Sequence, residues 1–228
     1  MRKLLFIILF NIIACTGALA QYYDFTATAP SGQTLYYAIL ADGVGVTHPG
    51  WEEHNPWKGF DKPEGDLVIP DSVCHNGVTY PVVALLALCF LECQNLTSIT
   101  LPPTLRLIER YAVGGCRGIR GHIIVPEGVE EIDNYAFCCT FMSAVTLPQS
   151  LRKIGYSAFE NCHYLACISV PSGVANIGKD AFRNIPLVIY HGKAHGAPWG
   201  AAVLNGTTKP DYIKAILPFV IRHGGSGK

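Results

Sequence analysis

Residues 150–162 read SLRKIGYSAFENC, and the chain writes nearly the same phrase twice more: GVEEIDNYAFCCT at 128–140 and GVANIGKDAFRNI at 173–185. Aligning on proline exposes the period. Pro102, Pro126, Pro148 and Pro171 are 24, 22 and 23 residues apart. Three positions before each lies Ile99, Ile123, Val145 or Ile168, and one before lies Leu101, Val125, Leu147 or Val170. Three after come Leu105, Val129, Leu151 and Val174, and six after come Ile108, Ile132, Ile154 and Ile177. Ten after, an alanine recurs (Ala112, Ala136, Ala158, Ala181), followed by Val113, Phe137, Phe159 and Phe182. An earlier copy with a longer interior starts at LVIPDSV and rejoins the pattern at Phe90 and Cys93. Periods of this length mark stacked repeats, because one coil is too small to bury its own apolar residues.

The spacing predicts the local structure. SITLP, HIIVP, AVTLP and CISVP alternate inward and outward side chains as a short strand does. Proline ends each strand, since its missing N–H would break a ladder. Stacking then places these strands in a parallel sheet along one face. The recurring alanine belongs where coils approach too closely for a larger side chain.

The pattern I-x-[LV]-P-x-x-[LV]-x-x-I-[GDE]-x-x-A-F-x-x-C resembles the BspA-like leucine-rich repeat of surface and secreted proteins of Bacteroides-type bacteria. The resemblance covers about Leu67 to Tyr190. It implies a right-handed leucine-rich-repeat solenoid of β-rich α/β class, a role in adhesion or protein binding, and no enzymatic activity. The departures are Cys89 in place of alanine, Val113 in place of phenylalanine, and an extra residue in the copy at Gly121.

Four segments follow. Residues 1–20, with Arg2 and Lys3 before an apolar run and a small-x-small ending, read as a secretory signal cut between Ala20 and Gln21. The alternative is a lipid anchor on Cys15, because Ile12 to Cys15 also fits a lipobox. Either way the protein is exported, secreted or held at the cell surface, with no later span. Residues 21–66 are expected to form a β-hairpin cap turning at Ala41–Gly43, followed by an aromatic loop. Residues 67–190 form the solenoid, about five coils, and residues 191–228 a C-terminal cap and flexible tail.

Lysine plus arginine equals aspartate plus glutamate, 17 each, so no global field steers the chain to nucleic acid. Candidate chemistry is sparse. Cys93, Cys116 and Cys162 recur at one repeat position, with Cys138 and Cys139 near it, and read as small buried thiols filling a tight turn. His191 and His195 lie in HGKAHG, where glycine disfavours the helix that a metal pair needs, so neither a metal nor a cofactor is expected. Arg106, Glu130 and Arg152 are expected to alternate in charge across adjacent coils.

A partner is expected on the outward strand positions Ser98, Thr100, His122, Ile124, Ala144, Thr146, Cys167 and Ser169, which are mostly small and neutral. The partner class is a host or microbial surface protein. The alternatives are a glycan held by an aromatic site at Trp51, Trp57 and Phe60, if those rings are exposed rather than plugging the first coil, and a structural spacer.

Overall fold

The computed structural model describes residues 22–50, 52 and 54–204. The readings at Cys15, Ala20, Gln21, Trp51 and residues 205–228 lie outside them. The N-terminal part is a three-stranded antiparallel meander of β1 (Phe25–Thr28), β2 (Thr34–Ile39) and β3 (Val44–Thr47). Its second turn falls at the predicted Ala41–Gly43, with the Leu40 N–H donating to Gly43 O at 2.9 Å. The single hairpin expected here is one strand short. β1 adds to β2 through a tight turn in which the Gly32 N–H donates to Ala29 O.

β4 (Gly65–Val68) opens the repeats, and the longer interior of the first copy is a second hairpin, β5 (Ser72–His75) and β6 (Val78–Leu85). Asn76 and Gly77 at its tip have φ of 51° and 77°. Asn-Gly supplies the two positive φ values that a tight two-residue hairpin turn demands. After that each copy gives one strand before its proline and a two-residue strand after it. These are β7 (Leu96–Thr100) and β8 (Leu107–Ile108), β9 (His122–Ile124) and β10 (Glu131–Ile132), β11 (Ala144–Thr146) and β12 (Lys153–Ile154), then β13 (Cys167–Val170) and β14 (Asn176–Ile177). β15 (Leu187–Tyr190) and β16 (Val203–Leu204) complete the described chain. No helix occurs among the described residues, which corrects the expected β-rich α/β class to all-β.

The sheet also differs from its expected place. The continuous parallel ladder runs through the short strands after the prolines, in the order β6-β8-β10-β12-β14, and joins the meander through β3. Its register pairs Ile108, Ile132, Ile154 and Ile177 in turn. The strands before the prolines do stack, but their ladder is split into β4-β7, β9-β11 and β13-β15-β16. The β9–β11 pairing starts irregularly at the extra residue near Gly121. There the Ser143 N–H is shared between Arg120 O and Gly121 O, at 3.2 and 3.1 Å.

A third set of inter-coil bonds runs through the Ala-Phe turns. Phe90, Val113, Phe137 and Phe159 donate their N–H groups to the carbonyls of Ala112, Ala136, Ala158 and Ala181 one coil on. The alanine carbonyls therefore carry the coil-to-coil contact, and the alanines themselves are fully buried. Two residues per turn adopt the left-handed region. One precedes the alanine (Leu88, Tyr111, Tyr135, Ser157, Asp180), and one follows the phenylalanine by two (Glu92, Gly115, Cys139, Asn161, Asn184). Inside the coils Phe137, Phe159 and Phe182 stack, with centroids 5.4 and 6.1 Å apart. Trp199 continues this column against Phe182 and Tyr190, and its carbonyl accepts the Phe182 N–H.

Candidate functional site

The strand face is the broadest regular surface the repeats create. Along β7, β9 and β13 the inward residues Ile99, Ile123 and Ile168 are buried while Thr100, His122, Ile124, Cys167 and Ser169 point out. Ser98 and Ala144 are half-buried and Thr146 is exposed. Pairing sets His122 beside Ala144 and Ile124 beside Thr146, and His122 Nε2 lies 2.8 Å from Thr146 Oγ1. At the first-repeat end Asp66 accepts hydrogen bonds from the Thr97 and Ser98 hydroxyls, both 2.7 Å, which hold its carboxyl below its ordinary value. The face is thus mostly small and polar, with Ile124 as its most exposed apolar projection at 60% and with Val68 and Ile189, both 37% exposed, beside Thr100 and Ser169.

Against the N-terminal edge of this face lies a cluster that the sequence reading did not pick out. The Arg120 guanidinium sits over the Phe141 and Tyr164 rings, 5.5 and 5.4 Å from their centroids, and those rings are 5.2 Å apart. The extra residue in the copy at Gly121 is the sequence signal that marks this place.

The aromatic loop separates into two parts. Trp57 is only 2% exposed and packs edge-on against Tyr36, so it is core and offers no ring face to a ligand. Phe60, 42% exposed, stands 6.2 Å from Tyr36 on an open groove of about 720 Å³, lined also by Gln33, Asp61, Glu64 and Asn95.

Buried thiols fill the turns, with one change of position. Cys93, Cys116 and Cys162 are fully buried, and the residue in register with them in the intervening copy is Thr140 rather than Cys138 or Cys139. Cys116 and Cys162 donate to the carbonyls of Phe90 and Phe137 at 3.0 and 3.2 Å, and Thr140 donates to Phe137 O at 2.9 Å. Burial pushes Cys93 and Cys162 up to about 12 and raises Cys89, Cys116 and Cys138 as well. Thiols so held are poor nucleophiles at neutral pH.

The charge ladder is displaced by one residue. Glu130 bridges Arg106 and Arg152 through backbone bonds of 3.1 and 2.8 Å, whereas the ion pair is Lys153 to Glu131 at 2.5 Å. His191 and His195 sit exposed in the turn before Trp199, and the His195 carbonyl accepts the indole N–H at 2.8 Å.

Residues 81–188 match the family described as the BspA type leucine-rich repeat region, in six copies. Residues 81–188 carry BspA-type leucine-rich repeats. Two solved structures share the fold. A leucine-rich repeat protein from Bacteroides ovatus is 24% identical with a TM-score of 0.59, covering 80% of this chain. The Treponema pallidum leucine-rich repeat protein is 23% identical with a TM-score of 0.60, covering 85% of this chain and 95% of its own. This chain spans 47% of the Bacteroides ovatus protein. The comparison with curated proteins gives no match. Among the described residues no helix is long and apolar enough to cross a membrane.

Proposed function

We propose that this is an exported, non-catalytic binding protein that recognises a surface protein of a host or another microbe through the strand face of its leucine-rich repeats. In this reading the coils form a right-handed solenoid closed by the β1–β3 meander at one end and by the Trp199 turn at the other. Residues 1–20 act as the export signal. The observation that carries it is the alternation over residues 98–100, 122–124 and 167–170, which buries Ile99, Ile123 and Ile168 and leaves a row of mostly small side chains around Ile124. Such a surface admits close approach by another backbone, and concave strand faces are the usual contact surface of repeat proteins. The raised thiols of Cys89, Cys93, Cys116, Cys138 and Cys162 argue in the same direction, because burial keeps these five protonated.

The test is capture of extracellular proteins by the purified chain, side by side with a variant carrying Thr100→Arg, Thr146→Arg and Ser169→Arg. These three positions are exposed, so the fold tolerates the change. The reading requires that captured proteins disappear in the variant while its thermal unfolding is unchanged. Equal capture by both proteins would overturn it.

One observation favours a second reading, that of a glycan-binding accessory. The Tyr36–Phe60 groove combines two aromatic rings with carboxylate and amide groups, the chemistry that suits sugar rings and hydroxyls. With Trp57 buried, Phe60 carries that reading, and glycan-array binding abolished by Phe60→Ala would support it.

A further inference from the structure

The stretches that run into three consecutive strands of the face, residues 116–124, 139–146 and 162–169, contain no aspartate or glutamate, yet include Arg117, Arg120, His122 and His163. In a chain with 17 residues of each charge these stretches carry a formal charge of +2, from Arg117 and Arg120. All four of these side chains are exposed. Asp66 is the carboxylate on the same face, but it lies two strands from β9, about 10 Å at the usual spacing, and the Thr97 and Ser98 hydroxyls occupy it.

Arg120 is the centre of this group. Among the described residues Arg120 takes part in no ion pair. Phe141 and Tyr164 cover it instead. Two rings flanking a guanidinium attract it and restrict where it can move, while Arg120 stays exposed to a partner. A guanidinium pre-oriented in this way suits a carboxylate, which it binds through two parallel hydrogen bonds. Beside it is Tyr164, 42% exposed, and Ile124 projects from the strand that Arg120 leads into. Arginine and tyrosine around an apolar projection are the residues that concentrate binding energy at protein interfaces.

We infer that Arg120, framed by Phe141 and Tyr164, is a carboxylate-recognition site, and that the partner's segment seated on the strand face is an acidic polypeptide. This rests on the strand-face reading above and gives it a chemical class of partner.

The experiment is a fluorescence-anisotropy titration of the purified full chain with three labelled probes. One is an extended peptide alternating glutamate with valine and tyrosine, the second is the same peptide with glutamine for glutamate, and the third is a sialylated trisaccharide. The expected result is that the acidic peptide binds, that the glutamine peptide is weaker by about tenfold or more, as loss of a charge-assisted bond implies, and that raised salt narrows the difference. Arg120→Gln should remove that preference, and Arg120→Lys should restore only part of it, because an ammonium neither stacks nor forks.

Three outcomes overturn the inference. Equal binding of the two peptides removes the role of the carboxylate. An unchanged preference in Arg120→Gln moves recognition elsewhere. Binding of the sialylated sugar alone, or of no probe, denies an acidic polypeptide. Loss of all peptide binding in Ile124→Arg, combined with equal binding of the two peptides by the parent chain, sinks the carboxylate claim and leaves the strand-face reading standing.

Discussion

Truncating Phe159 to alanine tests the packing on which the coils depend. Its ring is fully buried between Phe137, 5.4 Å away and 8° from parallel, and Phe182, 6.1 Å away and 21° from parallel. Deleting a buried phenylalanine ring costs about 3–5 kcal/mol. Two aromatic neighbours, each coupled by about 0.5–1.5 kcal/mol beyond area burial, place this site at the upper end. Because stacked coils touch only their neighbours, the coupling must also be local. Leucine substitutions measure that without a large cavity. A double-mutant cycle of Phe137→Leu with Phe159→Leu should give a coupling of about 0.5–1.5 kcal/mol. The cycle of Phe137→Leu with Phe182→Leu, one coil further apart, should be additive within about 0.5 kcal/mol. Urea unfolding followed by tryptophan fluorescence supplies the free energies. A loss below about 1.5 kcal/mol for Phe159→Ala, less than the lower bound for a packed ring, or equal coupling in the two cycles, would refute the stacked-column reasoning.

Other changes probe the backbone and its charges. A Cβ on Gly155 would sit 2.4 Å from Asn134 N and 2.6 Å from Asp133 C, so Gly155→Ala should destabilise by about 1–3 kcal/mol in the same unfolding assay. Cys139 holds φ of 56° where neighbouring coils place Asn161 and Asn184, whose side chains already bond to each other at 2.6 Å. Cys139→Asn should therefore raise stability by about 0.5–1 kcal/mol, since asparagine tolerates this conformation. His48 is buried and burial lowers its pKa from the ordinary 6.5. As pH falls below 6.5 the unfolded chain takes up a proton that folded His48 resists, so stability drops on the acid side until folded His48 itself protonates. Melting curves across that range should show the drop, and His48→Gln should flatten it.

Much of this fold is legible in the repeat, because each landmark has a local cause. Alternation marks the strands before the prolines, and the alanines mark where coils hydrogen-bond most closely. What escaped the sequence is equally physical. The ladder through Ile108, Ile132, Ile154 and Ile177 is built from two-residue strands, too short for alternation to declare them. The left-handed turn residues include Tyr111, Tyr135 and Leu88, which carry no glycine signal. Asn76-Gly77 was a readable hairpin signal for the longer first copy. The shift from Cys139 to Thr140 in the thiol column follows from a turn that keeps its register by backbone bonds rather than by residue type, and the same holds for the displacement of the ion pair to Glu131 and Lys153.

The site was legible only in outline. Strand alternation points to Thr100, His122, Ile124, Thr146 and Ser169 as outward, but the placing of Arg120 over Phe141 and Tyr164 is a contact between three coils that no single repeat spells out. Burial of Trp57 was equally a matter of packing, settled by its contact with Tyr36 and not by the composition of its loop.

The measurement that bears most directly on the central claim is hydroxyl-radical footprinting of the chain alone and in complex with a captured protein. The strand-face account predicts that His122, Ile124, Phe141 and Tyr164 lose reactivity in the complex while Tyr36 and Phe60 keep theirs. Protection confined to Tyr36 and Phe60, with Ile124 and Tyr164 as reactive as before, would contradict it and move the site to the groove.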